Sequence, residues 1–119
     1  MEGRKDKEKS MSKRTQRVNQ LIKEELGKII SREIIFPQGT LVTLTEVDTS
    51  SNLEHTKIKV SIMPEEKQKQ VLKILQKNIY HLQKLLDKKL VMKYVPKIRF
   101  EIDRAQEKVE RIEKLLKKI

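Results

Sequence analysis

Between Glu65 and Asp103 the apolar residues change period once, and that change narrows what the chain can fold into. Val71, Leu75, Ile79, Leu82 and Leu86 recur at three- and four-residue steps, with Leu72, Ile74 and Leu85 at the border. This predicts a long helix with one apolar arc. Past Tyr94-Val95-Pro96, Ile98, Phe100 and Ile102 alternate with Lys97, Arg99, Glu101 and Asp103. That predicts a strand with one buried face. A helix followed directly by a half-buried strand points to an α+β domain, with helices packed on one face of a sheet.

The rest of the chain supplies the missing partners. Ser12 is placed to cap a helix in which Val18, Ile22, Leu26, Ile29 and Ile30 form one stripe, Leu21 flanking it. Pro37-Gln38-Gly39 marks a turn. The β-branched run from Thr40 to Thr49 predicts a strand, and a bulge near Thr45-Glu46 would bring Val47 onto the same face as Val42 and Leu44. Asp48 to Asn52 is turn chemistry, with His55 expected in the same hairpin turn. In the following strand Ile58, Val60 and Ile62 face one side, and Lys57, Lys59 and Ser61 the other. Pro64, Glu65 and Glu66 then open the long helix.

At the end, Ala105, Val109, Ile112, Leu116 and Ile119 predict an amphipathic helix over 104–119, too short for a coiled coil. It is expected to pack on the sheet or on the first helix, or to extend the domain. The predicted organisation is a disordered charged arm over 1–12, one α+β domain over 13–103, and the C-terminal helix. The element order is α-β-β-α-(kink)-α-β plus that helix, with a three-stranded sheet covered on one face.

Charge narrows the function. The chain of 119 residues carries a formal net charge of +11, which points to a polyanionic partner. No apolar run exceeds three residues, so no membrane span is expected. The N-terminal residues show neither a secretory h-region nor an acid-poor transit pattern, and a cytoplasmic protein is expected. Cysteine is absent, which excludes disulfides and thiolate metal sites. Scattered glycines form no phosphate loop, and the two histidines, His55 and His81, lack a metal-ligand pattern. No enzyme, metal or cofactor is expected.

The candidate binding face lies on the long helix. From Lys67 to Leu86 there is no Asp or Glu, in a chain holding 17 of them. Lys69, Lys73, Lys77, Lys84 and Lys88 fall on the arc opposite the apolar one, with Tyr80 among them. Like charges at i,i+4 cost a few tenths of a kcal/mol per pair, a cost that an external anion relieves. Lys13, Arg14 and Arg17 sit at the start of the first helix, the wrong end for cations on helix-dipole grounds, and join the candidate set. For these three cations, solvated surface charge is the more common explanation. Asn78 falls inside the apolar arc, which predicts a kink with its amide satisfied by freed backbone groups. Phe100 is expected in the core and Phe36 half-buried. Tyr80, and after it Tyr94, are the rings left to stack on bases.

These segments together resemble a known family. Arg17-Val18, Leu21 to Leu26 and Ile29-Ile30 are followed by Val42 to Val47, Asn52 to Ser61, Tyr94 to Phe100, and Arg111 to Leu116. In that order and spacing, over roughly 13–119, they are similar to ribosome-binding factor A. The resemblance implies a KH-like (type II) fold and a non-enzymatic factor for assembly of the small ribosomal subunit (30S). It implies binding to the immature subunit's rRNA, help with 16S rRNA 5′-end processing, and support of growth in the cold. A monomer is expected. Where the family has an Ala-x-Gly kink, this chain has Asn78-Ile79-Tyr80, and where it often has Asp-Pro-Arg, Ile35-Phe36-Pro37. Tyr80 could stack on RNA or fill the kink. The alternatives to this role are a general, architectural nucleic-acid binder and a protein-interaction module built on the C-terminal helix.

Overall fold

The computed structural model describes residues 12–117, with the side chains of all but 106–111. Apart from Ser12, the charged arm expected over 1–12 lies outside the described residues. So do the side chain of Val109 and the last two positions of the predicted C-terminal helix.

Helix α1 spans Lys13–Glu33. Ser12 caps it as expected, its Oγ accepting from the Thr15 backbone N–H at 3.0 Å. Strand β1 (Leu41–Thr49) and strand β2 (His55–Met63) form an antiparallel hairpin. Its register shifts between Leu44 and Glu46, so the bulge that the alternation demanded is present. The hairpin is tighter than the turn residues suggested. Asp48 and Thr49 still belong to β1, and His55 is the first residue of β2 rather than part of the turn. The reason is cross-strand pairing, Ser50 N–H donating to the His55 carbonyl at 2.8 Å. A buried Thr49–Thr56 hydroxyl pair at 2.8 Å sits just inside it.

A short 3₁₀ turn (Glu65–Lys67) leads into α2 (Gln68–Lys77), α3 (Ile79–Lys89) and then β3 (Lys97–Ile102). Strand β3 pairs parallel with β2, from His55 opposite Lys97 to Val60 opposite Ile102, giving the sheet order β1-β2-β3. A parallel neighbour cannot be reached by a tight turn, and the α2–α3 crossover supplies the long connection it requires. Helix α4 (Ala105–Lys117) follows.

All three crossover and N-terminal helices lie on one sheet face. Ile22, Leu26 and Ile29 of α1 are buried with Ile58, Val60 and Ile62 of β2 and Phe100 of β3. Val71 and Leu75 of α2 and Leu82 and Leu86 of α3 complete that core. Burying each such side chain contributes about 1.5–3 kcal/mol. Phe36 is half-buried against it, as its position predicted. By contrast Ile112, Leu115 and Leu116 of α4 are 57%, 64% and 65% exposed. The described apolar side chains of that helix are therefore turned to solvent, not onto the sheet or α1.

Candidate nucleic-acid interface

The predicted long helix is broken at Asn78. Its backbone lies at φ −99°, ψ 7°, closing α2 and opening α3. The side-chain Nδ2 donates to the Ile74 carbonyl at 2.7 Å, and the backbone N–H lies 3.2 Å from the carbonyls of both Ile74 and Leu75. The Asn78 carbonyl in turn accepts from Leu82 N–H at 3.0 Å. A polar residue in the apolar arc thus serves the freed carbonyls of a helix end.

The break divides the lysine face in two. Lys69, Lys73 and Lys77 step by four along α2, and Tyr80, Lys84 and Lys88 step by four along α3. All six side chains are exposed. Tyr80 is 83% exposed, so its ring stands in solvent and does not fill the kink. Among the described residues none of these five lysines has a carboxylate partner.

The open face of the sheet is also cationic, but three of its cations have carboxylate partners. Lys59 pairs with Glu46 at 3.5 Å, Lys57 with Glu101 at 3.5 Å, and Arg99 approaches the same Glu101 at 3.9 Å. Exposed pairs of this kind are worth little in stability. Their consequence here is that the sheet face offers a polyanion less unmatched charge than the helices do.

Lys13, Arg14 and Arg17 are exposed on the first turns of α1. The Thr49 backbone N–H donates to Asn19 Oδ1 at 2.9 Å, which holds that end of α1 beside the hairpin turn. The Glu33 carboxylate at the other end of α1 meets His81 Nε2, near the start of α3, at 3.0 Å. The two helices therefore run antiparallel, and Arg14 and Arg17 meet the loop that leaves α3. There they line one cleft of about 920 Å³ with Lys93, Tyr94 and Lys97. They do not share it with Lys69, Lys73 or Lys77.

Lys93 and Lys97 were not among the residues singled out from sequence. Their signal was weak: one is a loop lysine beside a tyrosine, the other an ordinary outward strand position. Only the tertiary fold brings them to Arg14 and Arg17. The loop is fastened by Gln83 of α3, whose Nε2 donates to the Pro96 carbonyl at 3.0 Å. Its Oε1 accepts from Ile98 N–H at 2.9 Å.

Among the described residues no cluster of three His, Cys, Asp or Glu stands where it could hold a metal ion. No helix among them is long and apolar enough to cross a membrane.

Comparison with known proteins agrees with this architecture. The family model for ribosome-binding factor A matches residues 14–116. Ribosome-binding factor A of Halothermothrix orenii is 35% identical over 107 residues, covering 89% of this chain and 88% of that one. Its counterpart in Coxiella burnetii is 33% identical over 108 residues, covering 91% of each. The crystal structure of ribosome-binding factor A from Thermus thermophilus is similar with a TM-score of 0.64 at 20% identity. It covers 76% of this chain and 97% of that one. A homology model of the Thermus thermophilus protein, fitted into a cryo-electron microscopy map of a 30S complex, is similar with a TM-score of 0.59 at 24% identity. That match covers 71% of this chain and 89% of that one. The fold shared with these structures is KH-like, and the chain belongs to the ribosome-binding factor A family.

Proposed function

We propose that this chain is an assembly factor of the small ribosomal subunit. It binds rRNA of the immature 30S particle through the exposed lysines of α2 and α3. The observation that carries this is the contrast between two cationic surfaces. Lys69, Lys73, Lys77, Lys84 and Lys88 lack carboxylate partners among the described residues, whereas Lys57 and Lys59 of the sheet are matched by Glu101 and Glu46. Unmatched lysines on an exposed helical surface contact phosphates, which gives affinity and register but no sequence reading. Family membership supports the same partner, as does the Thermus relative fitted into a map of a 30S complex. The chain acts as a cytoplasmic monomer, without cofactor and without catalysis of its own. It assists maturation of the 16S rRNA 5′ end by holding RNA, and supports subunit assembly in the cold.

The test is co-sedimentation with immature small subunits. The double substitution Lys73→Glu and Lys77→Glu should abolish or strongly weaken binding while the circular dichroism spectrum stays that of the parent. Undiminished co-sedimentation of a folded double variant removes this face from the interface. Competition with naked duplex DNA separates the assembly role from general polyanion binding. Equal displacement by DNA and by immature subunits would favour the general binder.

A further inference from the structure

The cleft between the start of α1, the hairpin turn and the loop before β3 differs in chemistry from the lysine surface. Its cations are Arg14, Arg17, Lys93 and Lys97, against a single carboxylate, Glu54. It also offers apolar and aromatic area. Val91 is fully exposed, and Tyr94 is 77% exposed with Lys93 Nζ 5.6 Å from its ring centroid. An exposed aromatic ring in a cleft also lined by guanidinium and ammonium groups is the combination that takes an unpaired base on the ring and its phosphates on the cations. A duplex offers no free base face to such a ring. The cleft volume of about 920 Å³ lies within the range of small-ligand sites, roughly 300–1,000 Å³, which gives room for a nucleotide or two.

We infer that this cleft seats an unpaired nucleotide of a single-stranded RNA segment, with the base against Tyr94 and Val91 and the flanking phosphates on Arg14, Arg17 and Lys97. This rests on the proposed rRNA role and adds the strandedness of one part of the RNA. The division of labour is then explicit. The α2–α3 lysines hold phosphates of any RNA, and the cleft selects a place where pairing is interrupted.

The experiment measures fluorescence anisotropy of the full chain with two RNAs, an unstructured single strand of about eight nucleotides and a duplex of matched charge. Tyr94→Ala should weaken single-strand binding about tenfold, the loss of one base stack, and leave duplex binding nearly unchanged. Tyr94→Phe should retain single-strand affinity, since the ring and not the hydroxyl carries the stack. Both variants should melt with the parent, because the side chain is exposed. Equal losses on both RNAs, or no loss on the single strand, overturn the assignment. A parent chain that binds subunits and duplex but no single strand overturns it while leaving the assembly role intact. A parent that binds no RNA at all overturns both. Photo-crosslinking from position 94 on subunits should yield RNA adducts, and exclusively protein adducts would mean that the cleft takes a protein segment instead.

Discussion

Replacing Asn78 by Ala tests whether the amide holds the break between α2 and α3. The contact removed is one hydrogen bond, Nδ2 to the Ile74 carbonyl at 2.7 Å. That carbonyl keeps the Asn78 backbone N–H at 3.2 Å, so the substitution orphans no group. A single hydrogen bond of this kind contributes about 0.5–1.5 kcal/mol net. Ala is the better helix former by roughly 0.6 kcal/mol, but only inside a helix. Position 78 is at φ −99°, ψ 7°, outside helical geometry, so that gain is collected only if α2 and α3 straighten into one rod. Straightening would pull Leu75 or Leu82, both fully buried, away from the core at about 1.5–3 kcal/mol each. The break therefore persists, and the variant loses about 1 kcal/mol. Thermal unfolding followed by circular dichroism should show Tm lower by about 4–8 °C with unchanged helical signal. Asn78→Asp should lose more at neutral pH, because a carboxylate then faces the Ile74 carbonyl in place of a donor. A Tm at or above that of the parent, with increased helical signal, would refute the reasoning. It would mean that the two lysine rows belong to a helix which only the amide had been bending.

Two further substitutions probe the frame around the site. Gly27 lies in the interior of α1, where an added Cβ would meet only the Leu44 Cδ1 atom at 3.9 Å, an ordinary contact. Gly27→Ala should raise stability by about 0.5–1 kcal/mol, read as a higher Tm, and a lower Tm would show that α1 needs the close approach. Asp103 is held below its ordinary value of 3.8 first by the Thr45 hydroxyl at 2.7 Å and then by the Ala105 backbone N–H at 3.0 Å. A folded pKa below the unfolded one gives stability that is present above the unfolded value and lost as pH falls through the folded one. Asp103→Asn should thus lower Tm near neutrality and narrow its gap to the parent in acid below about pH 4, whereas a gap independent of pH would refute the linkage.

The legible parts of this molecule were those in which one residue's pattern is judged against its own neighbours. The bulge at Thr45 could be read because Val47 would otherwise face the wrong side. The break at Asn78 could be read because an amide cannot lie unpaired in an apolar arc. The strand entered at Pro96 was legible for the same reason. What sequence could not supply is coincidence in space between distant segments. One helical arc of five lysines was a fair projection of an unbroken helix, but the break that Asn78 itself predicts makes it two rows on two axes. Arg14 and Arg17 were singled out by their misplacement against the helix dipole, yet nothing local says which other cations they meet. That depends on Glu33 meeting His81, which sets α1 antiparallel to α3, and on Gln83, which pins the loop carrying Tyr94 through Pro96 and Ile98. Gln83 itself reads in sequence as an ordinary polar position on a helix flank. Its value is that it satisfies a carbonyl and an N–H of the chain entering the sheet, and so holds an exposed tyrosine in the cleft that two arginines from the other end of the sequence also line. The part of the interface with the most selective chemistry is therefore the part that only the fold could assemble.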